Sequence, residues 1–259
     1  MLLKDRVAFI TGSASGIGLA VGTEFLKNGA KVVFVDLNEE KVQTVVEDFK
    51  KQGYDCLGLT AQVNDEQQLV TALDKAMEKY GRLEILFNNA GLQHVSMLED
   101  FPTEKFRYML DVMVMAPFIA TKYVMPIMKK QEYGRILNMG SINGVIGFAG
   151  KSAYNSAKHA IVGLTKVTAL EGAPFGITAN AICPGYCDTP LVRGQFEDLS
   201  KTRGVPLESV KEDVLYPLVP QRRLIDTQEI ADYATFLVSD KAKAITGQAC
   251  LIDAGYTCQ

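Results

Sequence analysis

The chain has 259 residues, of which 47% are hydrophobic, and a formal net charge of −3. This length suits one large domain, and the chain shows neither a basic block typical of nucleic-acid binding nor the roughly 18-residue apolar run of a membrane span. Five cysteines without zinc-like or redox spacing, together with only two histidines, indicate reduced thiols and no metal site. The charged N-terminus, Lys4-Asp5-Arg6, does not resemble a signal or transit peptide, so a cytoplasmic location is expected.

Apolar strand-like runs alternate with amphipathic stretches along the chain. The predicted strands are Val7–Thr11, Lys31–Asp36, Asp55–Thr60, Ile85–Asn88, Gly134–Met139, Thr178–Cys183 and Ala249–Ile252. The predicted helices include Gly16–Asn28, Glu39–Gln52, Asp65–Tyr80, Thr103–Gln131 and Ala153–Ala173. Such alternation predicts an α/β fold with a doubly wound, seven-stranded parallel sheet in a single domain, residues 1–259.

The alternation lapses once, between Pro184 and Gln228, in a segment that contains several prolines. Short helical patterns occur there at Leu191–Lys201 and Leu207–Leu215. Because a long excursion in a compact domain is usually functional, residues 184–228 are predicted to form a helical lid over a substrate site, and are called the lid segment below.

A glycine-rich turn follows the first predicted strand. It contains Gly12, Ser15, Gly16, Ile17 and Gly18 in the pattern G-x-x-x-G-x-G. Glycines at a strand–helix junction let the backbone approach a pyrophosphate, which the helix N-terminus attracts. The turn predicts a nucleotide site, the alternative being a purely structural turn.

The ends of other predicted strands support the same site. Asp36 ends the second strand, where a carboxylate can bind ribose hydroxyls and repel a 2′-phosphate, which favours NAD over NADP. The alternative for Asp36 is a solvated residue at a strand end. Small or amide residues that permit close approach of a ligand follow the fourth and sixth strands: Asn89, Ala90 and Gly91, then Pro184 and Gly185.

Tyr154 and Lys158 are four residues apart in a predicted helix and therefore share one face. A lysine ammonium beside a tyrosine favours the phenolate, so we expect Lys158 to lower the pKa of Tyr154 and prepare it for proton transfer. Alone, such a pair is more often a surface helix contact. Ser141 follows the fifth predicted strand, upstream of this helix.

Taken together, these motifs resemble the short-chain dehydrogenase/reductase family along essentially the whole chain. The resemblance implies a Rossmann-like subunit, usually in a homotetramer, that moves a hydride between a nicotinamide and an alcohol carbon. Tyr154 would be the general base or acid, Lys158 would bind the nicotinamide ribose, and Ser141 would hydrogen-bond the reacting oxygen. It also implies cofactor contacts for Asn89, for Ile17 and for Thr189.

Two positions depart from the family pattern. Met113 stands where an asparagine usually holds a water in a proton relay, and a thioether cannot replace an amide in that role. Gln62-Val63 stands where Asp-Val often contacts the adenine, a contact that the glutamine carbonyl oxygen can still make.

Within the family, the resemblance extends to bacterial D-3-hydroxybutyrate dehydrogenases, through the strings Asn89–Val95, Gly150–Tyr154 and Ile245–Ala249. It implies NAD-dependent interconversion of (R)-3-hydroxybutyrate and acetoacetate. Predicted substrate residues, mostly amides with one ammonium that could clamp an anion, are Gln93, Ser141, Asn143, Lys151, Tyr154, Tyr186 and Gln195.

Three positions also depart from this narrower pattern. Asn143 replaces a usual histidine, and Tyr186 and Tyr256 replace usual tryptophans. Action on another small hydroxy acid, a sugar alcohol or a bulkier secondary alcohol therefore stays open, as does a non-catalytic NAD-binding regulator. No nucleic-acid, membrane or metal partner is expected.

Overall fold

The computed structural model describes residues 1–258. Seven parallel strands form one sheet in the order β3-β2-β1-β4-β5-β6-β7. The strands are β1 (Val7–Thr11), β2 (Lys31–Asp36), β3 (Cys56–Thr60), β4 (Ile85–Asn88), β5 (Gly134–Met139), β6 (Ile177–Pro184) and β7 (Ala249–Ile252). The predicted doubly wound, single-domain α/β fold is confirmed, and no strand boundary moves by more than about one residue from its predicted position.

Helices cover both faces of the sheet. They are α1 (Gly16–Lys27), α2 (Glu39–Lys51), α3 (Glu66–Tyr80), α4 (Thr103–Leu110), α5 (Ala116–Gln131), α6 (Ser152–Gly172), α7 (Pro190–Arg193), α8 (Phe196–Arg203) and α9 (Thr227–Val238). One buried core packs α1, α2 and α9 on the sheet, and a second packs α3, α5 and α6 on the opposite face. Two covered faces explain why the central strands are apolar throughout rather than alternating.

The long helix predicted at Thr103–Gln131 is interrupted by one π-helical segment, Asp111–Met115, between α4 and α5. This helix is long and apolar enough to cross a membrane by length and composition, but half of its most apolar window is buried inside the protein. Burial against the sheet accounts for that apolar character.

The lid segment differs from its prediction in detail. The single helix expected at Leu191–Lys201 is two helices, α7 and α8, which are separated at Gly194-Gln195. The helix expected at Leu207–Leu215 is a 3₁₀ turn followed by a π-helical segment. Prolines within the segment restrict regular helices, since each lacks a backbone donor.

The two ends of the lid segment are tied to each other. The Ile225 amide donates to the Tyr186 carbonyl at 2.9 Å, and the Asp188 amide donates to the Ile225 carbonyl at 2.9 Å. Between these ties, the lid segment has a small apolar core of its own, made of Tyr186, Leu199, Val210, Leu215 and Val219. It is therefore a closed loop with its own interior.

Candidate active site

The site lies where the strand order reverses, between β1 and β4. Ligands bind at such switch points because neighbouring loops diverge there and leave a crevice at the carboxyl ends of the strands. The hydroxyl of Thr11 joins the two strand ends by accepting hydrogen bonds from the backbone amides of Asn89 (3.0 Å) and Ala90 (3.1 Å). The side-chain amide of Asn89 donates to the carbonyls of Thr11 and Gly12, which fixes the glycine turn from the other side.

The glycines of this turn are required by contact as well as by conformation. Gly12 has φ +62°, and a Cβ atom there would lie 2.8 Å from the Cα of Ala90. A Cβ at Gly18 would lie 2.4 Å from the Gly12 carbonyl oxygen, so the turn packs directly on the first turn of α1. That first turn has no acidic residue and no side-chain cap, which leaves its amide groups available to an anionic ligand.

One cavity of about 460 Å³ joins the glycine turn to Tyr154. Most of the predicted cofactor residues line it: Gly12, Ser15, Gly16, Ile17, Asp36, Gln62, Val63, Asn89, Ala90, Gly91, Tyr154, Lys158, Pro184, Gly185 and Thr189. Gly18 does not line the cavity but supports the turn from below. The glycine cradle, the uncapped helix and the continuous cavity fit a nicotinamide dinucleotide.

Asp36 stands at the adenosine end of this cavity. Its carboxylate accepts hydrogen bonds from the backbone amides of Ala14 (3.0 Å) and Asn38 (3.1 Å), which hold it in place with lone pairs to spare. Leu37 also lines the cavity and is 72% exposed, so this corner holds a carboxylate beside an aliphatic side chain.

Ser141, Tyr154 and Lys158 meet at the other end of the cavity. Ser141 follows β5, and its hydroxyl accepts a hydrogen bond from the backbone amide of Asn143 at 3.2 Å and lies near enough to Tyr154 to affect the pKa of that phenol. The Lys158 ammonium donates to the Met139 carbonyl at 2.6 Å and lies 5.3 Å from the centre of the Tyr154 ring. The strand end and one turn of α6 thus bring the three predicted catalytic groups together.

The expected lowering of the Tyr154 pKa by Lys158 is wrong for the protein alone. Burial raises the pKa of Tyr154 to about 12, and the nearby hydroxyl of Ser141 only partly opposes this rise. Burial also lowers the pKa of Lys158 to about 8, against the influence of Cys183. Desolvation disfavours both charged forms, and neither residue of the pair contributes to the pKa shift of the other.

Met113 lies within the π-helical segment and is 2% exposed. Its sulfur would lie 3.5 Å from a Cβ atom built on Gly91, so the thioether packs against the turn after β4. The π-helical segment thus buries an apolar side chain at the position where the family resemblance implies an amide.

Lys151 is the most unusual of the predicted substrate residues. The residue is only 3% exposed and, among the described residues, no hydrogen bond or ion pair holds its ammonium, although the nitrogen itself keeps some contact with solvent. The nitrogen lies 4.7 Å from the ring centre of Phe148 and 5.6 Å from that of Tyr186. Burial lowers its pKa to about 8. A buried, unpaired ammonium is costly, and a bound anion would relieve that cost.

The three amide side chains predicted to bind substrate do not all reach Lys151. The Asn143 side-chain oxygen is buried and has no partner among residues 1–258. Gln93 and Gln195 are instead held locally: the Gln93 oxygen accepts the His94 amide at 3.0 Å, and the Gln195 nitrogen donates to the Leu191 carbonyl at 3.0 Å. Among the described residues, neither glutamine forms a hydrogen bond with Lys151. The predicted anion clamp is therefore not fully formed in this structure.

Sequence reasoning missed several residues of the site. Leu92, Tyr108, Val112, Leu191 and Val192 form apolar walls of the cavity, and Phe148 lies beside Lys151. Leu92 lies within the string Asn89–Val95, and Leu191 and Val192 belong to the similar string Leu191-Val192-x2-Gln195, but none of the three was predicted to line the site.

Comparison with known proteins agrees with this geometry. A family model described as short chain dehydrogenase matches residues 6–200. An uncharacterized oxidoreductase, YxjF, from Bacillus subtilis is 54% identical over 99% of this chain and 100% of its own length. A D-beta-hydroxybutyrate dehydrogenase from Cupriavidus necator is 36% identical over the full length of both chains. A solved structure of actinorhodin polyketide ketoreductase with NADPH superposes with a TM-score of 0.93 at 30% identity, covering 97% of each chain.

Proposed function

Because the chain belongs to the short-chain dehydrogenase family and is an oxidoreductase with a nicotinamide cofactor, we propose that it interconverts (R)-3-hydroxybutyrate and acetoacetate with NAD. The observation that carries this proposal is the unpaired ammonium of Lys151, a residue that is only 3% exposed and lies three residues before Tyr154. A hydroxy acid whose carboxylate pairs with Lys151 would present its hydroxyl towards the tyrosine. The similarity to D-beta-hydroxybutyrate dehydrogenases supports the same substrate class.

Each catalytic side chain then has one task. A bound nicotinamide supplies the acceptor for the hydride that leaves the alcohol carbon. Tyr154 accepts the hydroxyl proton in its phenolate form and becomes the neutral phenol, and Ser141 donates a hydrogen bond to the reacting oxygen, stabilising charge that develops there. Lys158, held by the Met139 carbonyl, stands beside the tyrosine to bind the cofactor ribose and to attract the phenolate.

The choice of NAD rests on Asp36. A 2′-phosphate would meet a carboxylate that two backbone amides hold in place, with exposed Leu37 rather than a cation next to it. Removing the Asp36 carboxylate should therefore change the affinity for NADP more than the affinity for NAD.

A homotetramer in the cytoplasm is part of the proposal. Leu170 of α6 is 77% exposed and Val167 is 52% exposed, while Phe118 of α5 is 44% exposed. Three exposed apolar side chains on neighbouring helices suit a helix-to-helix contact between subunits. Sedimentation equilibrium tests this, and a monomer at micromolar concentration would contradict it.

Steady-state kinetics with the two enantiomers of 3-hydroxybutyrate, each with NAD and with NADP, test the proposed reaction. We expect turnover of the R enantiomer with NAD and a clear preference over NADP. Efficient oxidation of an uncharged secondary alcohol without turnover of the R acid would overturn the substrate, whereas equal use of both coenzymes would overturn only the cofactor choice.

A further inference from the structure

A second positive charge lies beyond Lys151. The guanidinium carbon of Arg203, the last residue of α8, is 5.7 Å from the centre of the Phe148 ring. The Lys151 ammonium lies 4.7 Å from the centre of the same ring. One aromatic side chain therefore contacts two cations, one from the start of α6 and one from the lid segment.

Arg203 differs from the other arginines of the lid segment. Each of the others has a carboxylate partner: Arg193 with Asp188, Arg222 with Glu212 and Arg223 with Glu229. Within residues 1–258 no carboxylate lies within ion-pair distance of Arg203. The lid segment thus neutralises its other guanidinium groups and leaves the one beside Phe148 uncompensated.

Two tyrosines extend this surface. The rings of Tyr186 and Tyr256 are in edge contact with centres 6.0 Å apart, and Tyr186 also contacts Lys151. The charge of Arg203 acts on both hydroxyls, opposing the rise that burial causes in the pKa of each tyrosine. No acidic side chain contributes to the shift of either tyrosine or of Lys151.

The basic cluster of Phe148, Lys151, Tyr186, Arg203 and Tyr256 therefore combines two positive charges with two phenol groups and no carboxylate. A monocarboxylate on Lys151 would leave Arg203 unpaired. A ligand with two negative charges would pair with both cations, and the aromatic rings would pack against its carbon chain.

Building on the proposed hydroxy-acid dehydrogenase activity, we propose that Arg203 determines specificity and that the preferred substrate is a hydroxydicarboxylate. One carboxylate would pair with Lys151 and the second with Arg203. In this reaction the hydrogen on the carbinol carbon is transferred as hydride to the oxidised coenzyme, and the hydroxyl proton passes to Tyr154. A keto dicarboxylate forms.

Alternatively, the contact of Arg203 with the Phe148 ring serves only to hold the lid segment in its closed position, a role called a latch below. The two roles predict different substrate dependence. A latch would serve every substrate equally, whereas a carboxylate partner would serve only those with a second acid.

Two substrates with the same carbon chain separate these roles: 3-hydroxyadipate carries a second terminal carboxylate, and 3-hydroxyhexanoate does not. We expect the unsubstituted enzyme to favour 3-hydroxyadipate by about tenfold in kcat/KM, as a charged hydrogen bond would give. Arg203→Gln should remove this preference and leave 3-hydroxyhexanoate and 3-hydroxybutyrate unchanged. The control Lys201→Gln, an exposed lysine on the same helix, should keep the preference.

The outcomes are distinct. No preference for the diacid, or an equal loss for all three substrates in Arg203→Gln, would overturn the role of Arg203 while leaving the hydroxybutyrate activity in place. Failure of the unsubstituted enzyme to oxidise any of the three acids would overturn the proposed function itself, and this inference with it.

Discussion

The two ends of the active site are built in different ways. At the cofactor end, the shape of the site is set by the backbone. A Cβ atom at Gly12 or Gly18 would clash with neighbouring backbone, and the Thr11 hydroxyl joins two strand ends through backbone amides. At the substrate end, the site is formed by side chains from separate parts of the chain, and Lys151 and Arg203 both contact Phe148. The cofactor end therefore tolerates few substitutions, whereas the substrate end tolerates many.

Tyr154 lies between the two ends, and its replacement should have the largest effect. Tyr154→Phe removes the hydroxyl that we propose exchanges the proton and keeps the ring in the cavity wall. We expect kcat to fall by about 10²- to 10⁴-fold while the dissociation constant for NAD, measured by fluorescence titration, stays the same. Loss of NAD binding would show that the two ends are not separable at this residue.

Replacement of Lys151 should affect the substrate end alone. Lys151→Met keeps the buried aliphatic stem and removes the charge, so kcat/KM for (R)-3-hydroxybutyrate should fall by roughly 10- to 100-fold, the value of a charged hydrogen bond. Oxidation of 2-butanol should be unaffected, and Lys211→Met, an exposed lysine of the lid segment, is the matched control. Equal losses for the acid and the alcohol would rule out an anion clamp.

The smallest effect expected is a pH dependence of anion binding at the substrate end. Because the pKa of Lys151 is lowered to about 8, the ammonium is present below that pH and is lost above it. The inhibition constant of acetate, competing with substrate, should be constant below about pH 8 and rise about tenfold per unit above it, the limiting slope for loss of one proton. Lys151→Met should abolish the rise, and an unchanged rise in that variant would assign it to another group.

The difference between the ends also explains what the sequence could predict. The number and bounds of the parallel strands, the glycine turn and the placement of Ser141 near Tyr154 followed from local patterns, because strand ends in a parallel sheet share one edge. The contact of Arg203 with Phe148 joins residues far apart in the chain and has no local signature. The pKa of Tyr154 was misjudged because helix spacing reveals a neighbour but not the depth of burial.

The hydrogen bonds that tie Tyr186 and Asp188 to Ile225 close the lid segment at its base. Residues inserted, deleted or exchanged beyond that base would alter the lid segment without shifting the strands that carry Ser141 or the glycine turn. The chain can therefore diversify its substrates through one loop while hydride chemistry stays constant, which makes this loop the natural place for evolutionary change and for engineered libraries.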